Sequence, residues 1–192
     1  MVLLISERKN KCAAEVSEIL INHGANNISD KNICENGGKF TFINLYKKSE
    51  ILASKIIVVY FDDNERFLKQ ALPETTIGIC EENNLTALEN FKYNNSVVIT
   101  CGTGSLNTIS ISSINENSLL ATLQRSIIDI YGNVISPAEF KIRLTKPYSP
   151  YSAMVAAAVL LLNGITPQIF WISEKFLPRI QLKVVFYDKG FK

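Results

Sequence analysis

Apolar residues follow two alternating patterns along the first hundred residues of the chain. Stretches with the length and composition of strands lie at Val2–Ile5 and at residues 40–45, 56–61, 76–80 and 97–101. In two other stretches, residues 11–23 and the residues from Asn83 or Asn84 to Phe91, apolar side chains recur every three or four positions, as on a helix face. Strands that alternate with helices over short connections are typical of an α/β fold with a layered, mostly parallel, Rossmann-like sheet.

The pattern changes after residue 105. Five strands follow one another without intervening helices, at residues 108–112, 119–125, 127–131, 134–135 and 140–144. Consecutive strands that include a Gly132-Asn133 turn signal predict a small antiparallel β subregion. Residues 152–163 are apolar on every side of a helix and are followed by Gly164, so a buried helix is predicted there.

Polar and mixed segments connect these elements. The Asn- and Gly-rich residues 26–38 are predicted as a loop, and residues 65–72 as a short helix that Pro73 stops. Residues 167–176 are predicted to contain a turn of helix, and residues 182–187 a final strand. We expect one α/β domain over residues 1–192, with a β/α layered part (1–105), an antiparallel β part (106–146) and a buried helix with a C-terminal segment (147–192).

Composition excludes several classes of protein. With 192 residues, 47% of them hydrophobic, the chain is long enough to bury a core of its own. A net charge of +2 gives no basic surface for nucleic acid or anionic lipid. The apolar start is followed at once by charged residues, unlike a signal peptide, and the apolar run 153–162 is too short to cross a bilayer. These features predict a cytoplasmic protein with no nucleic-acid and no membrane partner.

Cysteine and histidine residues argue against a metal centre. Cys12, Cys34, Cys80 and Cys101 include no Cys-x-x-Cys pair, and His23 is the one histidine of the sequence. No metal and no cofactor is therefore predicted. Cysteines favour the core, so most of these thiols are expected to be buried. Cys101 is the candidate for a reactive thiol because it adjoins a glycine-rich turn.

That turn follows the strand at residues 97–101 and is the main candidate for a binding site. Its potential ligand-binding residues are Gly102, Thr103, Gly104, Ser105, Asn107 and Thr108. Open α/β sheets commonly place phosphates and other anions where a strand ends in a glycine turn. A phosphate loop would continue with a lysine, but Leu106 and Asn107 hold those places and a strand follows. The turn is predicted to bind a small anionic or nucleotide-like ligand weakly, through hydroxyl and amide groups that carry no charge.

Other side chains near strand ends are accessory candidates. The pairs Asp62-Asp63 and Glu81-Glu82 follow two predicted strands, where carboxylates could hold a metal ion or a ribose. The alternative is that they simply suit turns and helix N-termini. Cys101 adjoins the glycine turn. Arg125 interrupts an alternating strand, so it either contacts an anionic ligand or a neighbouring subunit, or faces solvent.

Several pieces of the chain occur in the order of a known domain. They are a strand ending in two acidic residues and Asn (77–83), a strand ending in glycine (98–102), a patch of small strands, an alanine-rich helix (151–159) and a Leu-Asn-Gly-Ile turn (162–165). Over residues 77–169 this order resembles the second half of the central, nucleotide-binding domain of the Mur ligase family. The members of that family are ATP-dependent, amide-forming enzymes. Asp62-Asp63-Asn64 is a second match for the acidic strand end.

The chain differs from the family at the positions where the family has its catalytic and phosphate-binding residues. It has no glycine-lysine-threonine phosphate loop before Ile56, and the helix entrance has Pro150 and Ser152 where the family has Asn and His. No ligase residue carries over, so the resemblance implies a shortened scaffold without ATP hydrolysis. We therefore predict a non-catalytic binding module of a bacterial cytoplasm, related in scaffold to Mur ligases. The alternatives are a degenerate ligase relative that retains activity, or a thiol enzyme that uses Cys101.

A third hypothesis, a homo-oligomeric interaction protein, depends on the C-terminal segment. Large apolar side chains are concentrated there, at residues 168–172, Phe176, Phe186, Tyr187 and Phe191. Aromatic residues are favoured at the cores of interfaces, which predicts a homo-oligomer. The alternative is a C-terminal strand that docks on the sheet of its own domain and buries one face.

Overall fold

Most of the chain is organised around one sheet. The computed structural model describes residues 1–29, 33–144, 146–165 and 170–172. The strands in this part of the chain are β1 (Val2–Ile5), β2 (Asn26–Ile28), β3 (Ile33–Cys34), β4 (Thr41–Leu45), β5 (Ile57–Tyr60), β6 (Ile77–Glu81), β7 (Val97–Gly102), β8 (Ile109–Asn115), β9 (Ser118–Leu123), β10 (Ile127–Ile128), β11 (Val134–Ile135), β12 (Ala138–Leu144) and β13 (Phe170–Ile172). Eleven of these strands join in the order β13-β12-β9-β8-β7-β6-β5-β1-β4-β2-β3.

The central part of this sheet is parallel. All neighbouring pairs from β2 across to β8 run parallel, and so does the pair β12–β13. Antiparallel pairs are found at β2–β3, β8–β9 and β9–β12. The predicted α/β class with a mostly parallel layered sheet is therefore confirmed. The neighbours of β1 are β4 on one side and β5 on the other, so the chain crosses β1 between them and creates a topological switch point.

Three helices pack on the described part of the sheet, each with a side-chain cap at its start. They are α1 (Lys11–Asn22), α2 (Leu85–Tyr93) and α3 (Pro150–Leu162). Asn10 Oδ1 accepts a hydrogen bond from the Ala13 N–H, and Asn84 Oδ1 accepts one from the Ala87 N–H. The hydroxyl of Ser149 does the same for the Ser152 N–H. These caps satisfy N–H groups that the helix cannot pair itself, and they fix where each helix begins.

Both faces of the sheet are covered, as the continuous apolar strands require. On one face, Leu4 of β1 belongs to a buried cluster with residues of α1 and α3, which include Val16 and Val155. On the other face, Leu3 and Ile5 belong to a second cluster with Phe91 of α2. Successive side chains of a strand point to opposite faces, which is why β1 contributes to both clusters. No helix in the described part of the chain combines the length and apolar character needed to cross a membrane.

Most predicted elements lie within a residue or two of their expected bounds, but two predictions were wrong. The supposed loop 26–38 contains β2 and β3, because Asn26 Oδ1 accepts hydrogen bonds from the Asn36 and Gly38 N–H groups and braces a hairpin. Instead of a helix over 65–72 there is one 3-10 turn, Glu65–Phe67. In the segment 167–176, for which a turn of helix was predicted, residues Phe170–Ile172 form β13, and the other residues lie outside the described ones.

The predicted antiparallel subregion also differs in its connections. The strand after the glycine turn exists as β8, but it pairs in parallel with β7 and so continues the main sheet. β9 and β12 extend the same sheet, and the small separate sheet consists of β10 and β11 alone. The predicted strand at 182–187, and the aromatic residues of the C-terminal segment other than those of β13, lie outside the described residues.

Candidate functional site

The loops that follow the parallel strands lie together at one edge of the sheet, here called the carboxyl edge. It contains the loops after β1, β4, β5, β6 and β7 and the end of β2, since these strands run in the same direction. Ligands of open α/β sheets bind at this edge, close to the switch point. The predicted site residues on the loops after β5, β6 and β7 are therefore neighbours in space, as their positions after strands implied.

The glycine turn between β7 and β8 divides its residues into two groups. Thr103 and Ser105 are exposed, and Gly104 between them is half-buried. Asn107 and Thr108 are buried, with 1% and 4% of their surfaces exposed. Within the described residues, the hydroxyls of Thr103 and Ser105 make no hydrogen bond, so both remain available to a ligand.

The two buried side chains of the turn serve the fold. The Thr108 N–H donates to Thr100 Oγ1 at 3.2 Å, and Thr108 Oγ1 accepts from the Thr100 N–H at 3.4 Å. Asn107 Nδ2 donates to the Gly104 carbonyl at 3.1 Å and to Glu82 Oε2 at 2.6 Å. Asn107 Oδ1 is buried without a hydrogen-bond partner in the described chain. An unpaired buried acceptor is costly, so this atom stands out among the groups at the turn.

Glu82 lies directly beside the glycines. A Cβ atom at Gly102 would lie 2.6 Å from Asn107 Nδ2 and 3.1 Å from Glu82 Oε1, and one at Gly104 would lie 3.4 Å from Glu82 Oε2. The glycine at position 102 is therefore required by close packing. The carboxylate gives the turn a negative charge, which disfavours a free anion there.

Arg125 does not compensate for that charge at the turn itself. Its Nη2 donates to the Leu106 carbonyl oxygen at 2.5 Å, and its side chain is exposed. The strand β9 ends at Leu123, before Arg125, so this arginine belongs to the loop that follows. In the structure Arg125 braces the outer part of the glycine turn.

The N-terminus of α1 faces the switch point, where a phosphate would bind in a nucleotide-binding protein. Here the Asp62 carboxylate bonds to the loop that leads into the helix. Its Oδ2 accepts the Glu7 N–H at 2.5 Å, and its Oδ1 accepts from Asn10 Nδ2 at 2.5 Å. The carboxylate satisfies the loop that precedes the helix and neutralises the positive end of the helix dipole.

The other two helices begin in the same way. Asp63 Oδ1 accepts the Thr86 N–H of α2 at 2.8 Å, and hydrogen bonds from Thr86 lower the pKa of this carboxyl. Glu15, which is buried in α1, accepts the Ser149 N–H through Oε2 at 3.0 Å, at the start of α3. Each of the three helix N-termini thus already has a carboxylate of the protein itself. For Asp62 and Asp63, the simpler of the two expectations, that they suit helix N-termini, agrees with these contacts.

The remaining accessory candidates make no polar contact with the turn. Glu81 is exposed at the end of β6. Cys101 is fully buried, and desolvation by burial, with a smaller effect of Cys80, raises the pKa of its thiol strongly. Burial also raises the pKa of Cys80 to about 12. A thiol in this state holds its proton and is not a nucleophile at neutral pH.

The histidine of the chain is hydrogen-bonded within its own helix. His23 Nδ1 lies 2.8 Å from the Ile19 carbonyl, as a hydrogen-bond donor to its own helix. The described residues include no group of three His, Cys, Asp or Glu side chains that could hold a metal ion.

Sequence reasoning missed two parts of the carboxyl edge. Glu15 was not singled out, because a carboxylate on a helix gives no sign in the sequence that it will cap another helix. The residues Tyr46 and Lys47, which follow β4, line a cavity together with Arg8, which follows β1. The signal that could have found them is their position directly after predicted strands, the same rule that selected Asp62 and Glu82.

Neither a protein-family model nor a curated protein sequence matches this chain. Among solved structures, a murein peptide ligase Mpl from Psychrobacter arcticus 273-4 is similar, with 9% sequence identity and a TM-score of 0.48. The match covers 85% of this chain and 44% of that protein, so this chain spans less than half of its length. That neighbour is a member of the Mur ligase family, and the similarity concerns the fold alone.

Proposed function

We propose that this chain is a non-catalytic module that binds a small nucleoside-like ligand at the glycine turn between β7 and β8, on a scaffold related to the Mur ligases. The observation that carries the proposal is the pair of exposed hydroxyls of Thr103 and Ser105, which make no hydrogen bond within the described residues and belong to the same turn as the buried, unpaired acceptor Asn107 Oδ1. A ligand with hydrogen-bonding groups would pair these two hydroxyls.

Glu82 narrows the class of ligand. Its Oε2 is 2.6 Å from Asn107 Nδ2, and both carboxylate oxygens are near the glycines. A free phosphate or carboxylate would be repelled, whereas the N–H and O–H groups of a base and ribose are attracted. The ligand predicted from the sequence was anionic or nucleotide-like, and the geometry favours an uncharged nucleoside over an anion.

We propose a non-catalytic module because Cys101, Asp62 and Asp63 at the carboxyl edge are already bonded within the protein or buried. The turn has Leu106 where a phosphate loop has its lysine, and Cys101 is buried with a raised pKa. Asp62 and Asp63 are engaged by backbone N–H groups at α1 and α2. Group-transfer reactions need a nucleophile, a general base and an open site for an anion. The side chains named here do not supply these groups.

The proposal is tested by titrating the 15N-labelled protein with adenosine and, separately, with AMP. We expect adenosine to shift the amide signals of residues 102–108 at millimolar concentration, and AMP to bind more weakly. Ser105→Ala should weaken adenosine binding, while Ser113→Ala, an exposed serine on β8, should leave it unchanged. Glu82→Gln should reduce the difference between the two ligands. Shifts confined to other parts of the protein, or no shift with either ligand, would contradict the proposal.

The thiol-enzyme alternative makes a different prediction. A catalytic Cys101 would react with iodoacetamide in the native protein at neutral pH. From its burial we expect Cys101 and Cys80 to react only after unfolding, whereas the half-exposed Cys12 and Cys34 react earlier. Mass spectrometry of the alkylated peptides distinguishes the two outcomes.

A further inference from the structure

The sequence contains two Asn-Gly pairs, Asn36-Gly37 in the loop after β3 and Asn163-Gly164 at the end of α3. The backbone nitrogen of a glycine can attack the side-chain amide of the asparagine before it, because glycine has no Cβ atom to hinder the approach. The two pairs lie in opposite environments, and the structure therefore distinguishes their reactivity.

The first pair lies on the surface. Asn36 and Gly37 are both exposed. Gly37 has a φ of +65°, and a Cβ atom built on it would have no described atom within 4 Å. The backbone at this pair is not packed against the fold, so small local motions can bring the Gly37 nitrogen to the Cγ atom of Asn36.

The side-chain amide of Asn36 has a hydrogen-bond partner on each of its two polar atoms. The Cys34 thiol donates to Asn36 Oδ1 at 3.4 Å, and Asn36 Nδ2 donates to the Ala25 carbonyl oxygen at 3.1 Å. A donor on the amide oxygen stabilises the negative charge that develops there when a nucleophile adds to Cγ. The Cys34 thiol is therefore placed to favour the attack.

The second pair is held inside the fold. Asn163 is 1% exposed, and its Nδ2 donates to the Val159 carbonyl oxygen at 2.7 Å. The Gly164 N–H, which carries the nitrogen that would attack, donates to the Leu161 carbonyl oxygen at 2.9 Å. This pair must open locally before it can react, and that opening slows its conversion.

We propose that Asn36 is a site of self-modification, where the asparagine converts to aspartate and isoaspartate in the folded protein, while Asn163 is protected. The Gly37 nitrogen forms a bond to Cγ of Asn36, and the Cγ–Nδ2 bond breaks. Nδ2 takes the proton of the Gly37 N–H and leaves as ammonia, so that a cyclic succinimide remains. Water opens this ring at Cγ to give aspartate, or at the main-chain carbonyl carbon to give isoaspartate. Water is consumed, ammonia is released and nothing is oxidised or reduced.

The modification has a structural consequence for the edge of the sheet. The N–H groups of Asn36 and Gly38 both donate to Asn26 Oδ1, at 2.8 and 3.2 Å. Isoaspartate adds a methylene group to the backbone between these two N–H groups. A Cβ atom at Gly38 would overlap the Gly24 carbonyl oxygen, so the loop has little room to shift there. We therefore expect isoaspartate to weaken the pairing of the edge strand β3 with β2.

The test incubates the full chain at mildly alkaline pH in 18O-labelled water, folded or unfolded in urea, and follows the peptides of both pairs by mass spectrometry. In the folded protein, we expect Asn36 to take up the label at least about tenfold faster than Asn163. In urea the two rates should become similar, since only the sequence then matters. Equal rates in the folded protein would overturn the proposal, as would labelling of Asn36 in urea alone.

Two cysteine variants test the contribution of the thiol. Cys34→Ala should slow the labelling of Asn36 about threefold, as expected for the loss of a weak hydrogen bond. Cys12→Ala is the matched control, because Cys12 is also half-buried but lies in α1, and it should leave the rate unchanged. An unchanged rate in Cys34→Ala would refute the role of the thiol.

The consequence for the hairpin is measured by NMR on the incubated protein. After conversion we expect the amide signals of Asn27 and Cys34, which face each other in β2 and β3, to shift or broaden. Asn36→Gln cannot close the same ring, so this variant should keep its signals unchanged over the same incubation. Unaltered signals of Asn27 and Cys34 in the converted protein would refute the effect on the hairpin.

Discussion

The carboxyl edge has two halves that use charge in opposite ways. In the acidic half, after β5, β6 and β7, the carboxylates of Asp62, Asp63 and Glu82 contact N–H and N–H₂ groups of the protein itself. In the basic half, after β1, β2 and β4, Arg8 and Lys47 line an open groove. On the acidic side the carboxylates are thus paired within the protein while the Thr103 and Ser105 hydroxyls stay exposed, and on the basic side a cavity opens at the sheet edge.

This difference teaches that a glycine turn alone does not identify an anion site. Backbone N–H groups at strand ends and helix N-termini attract negative charge, whatever molecule carries it. At α2 that charge is supplied by Asp63, and in the loop before α1 Asp62 accepts the Glu7 N–H, so these groups are already paired within the protein. The basic half differs because Arg8 and Lys47 line a cavity there.

The largest expected effect on stability is that of Asn90, which supports the loop after β5 in the acidic half. Asn90 is fully buried in α2, and its Nδ2 donates to the Tyr60 hydroxyl and the Phe67 carbonyl, while its Oδ1 accepts the Gln70 N–H. Asn90→Ala removes three buried hydrogen bonds and leaves the Tyr60 hydroxyl without its partner, while the Gln70 N–H and the Phe67 carbonyl keep their bond to each other. We therefore expect the free energy of unfolding to fall by about 3 kcal/mol. Urea unfolding measures this loss.

The matched control is Asn83→Ala, an exposed residue in the loop before α2. It should change the free energy of unfolding by less than about 0.5 kcal/mol. A loss of similar size in both variants would mean that the hydrogen bonds of Asn90 do not hold the loop after β5 in place.

A smaller effect on the free energy of unfolding is expected for substitutions of the glycines in the turn after β7. Gly102→Ala places a Cβ atom 2.6 Å from Asn107 Nδ2, and the neighbouring Glu82 limits the space for relaxation. We expect a loss of about 2 kcal/mol, the usual cost of overpacking a tight site. Gly104→Ala, whose Cβ atom would have its nearest neighbour at 3.4 Å, should cost well under half of that. Equal losses would show that backbone freedom, and not the contact with Asn107, determines the need for glycine.

The acidic half should also respond to pH in a defined direction. Hydrogen bonds from Thr86 lower the pKa of Asp63 below its usual value of 3.8, so in the folded protein this carboxyl is ionised more readily than in the unfolded chain. Its contribution to stability is therefore fully present at pH values above the unfolded pKa. It is lost as the pH falls through the lower folded pKa.

Two measurements check this pH dependence. A 13C-detected titration of the Asp63 carboxyl should have its midpoint below 3.8. The fall in the urea midpoint between pH 7 and pH 3 should be smaller for Asp63→Asn than for the unchanged protein, while Glu89→Gln, on the exposed face of α2, should behave like the unchanged protein. A titration midpoint at or above the usual value would contradict the role of Asp63 at α2.

The sequence was sufficient to predict the elements that hydrophobic periodicity controls. The strands β1, β5, β6 and β7 and the helix α3 have unambiguous apolar patterns. Side-chain hydrogen bonds over longer distances were not predictable. The hairpin in 26–38 depends on the Asn26 amide, and the failure of a helix at 65–72 accompanies the contacts of Asn90 with Phe67 and Gln70.

For the candidate site, the sequence indicated which residues follow strands at the carboxyl edge. It did not indicate which group each of them contacts. Asp62, Asp63 and Glu82 follow β5 and β6, as their positions after predicted strands implied. It did not reveal that Asn107 and Thr108 turn inward, because an amide or hydroxyl in a turn suits a ligand and the backbone equally well. Partners such as Thr100 and Glu82 became visible only when the sheet register brought them together.

The smallest effect is expected in the basic half, where side chains should matter little for stability. The Arg8 guanidinium contacts the Tyr46 ring at an exposed position, and such cation–π contacts contribute about 0.5 kcal/mol. Arg8→Gln should therefore lower the free energy of unfolding in urea by no more than about 1 kcal/mol, and Lys9→Gln next to it should have no measurable effect. A loss as large as that of Asn90→Ala would make Arg8 a structural residue and remove the contrast between the two halves. A small loss, together with changed signals of the Tyr46 ring in the NMR spectrum, would show that Arg8 contacts this ring while contributing little to stability, in contrast to Asn90.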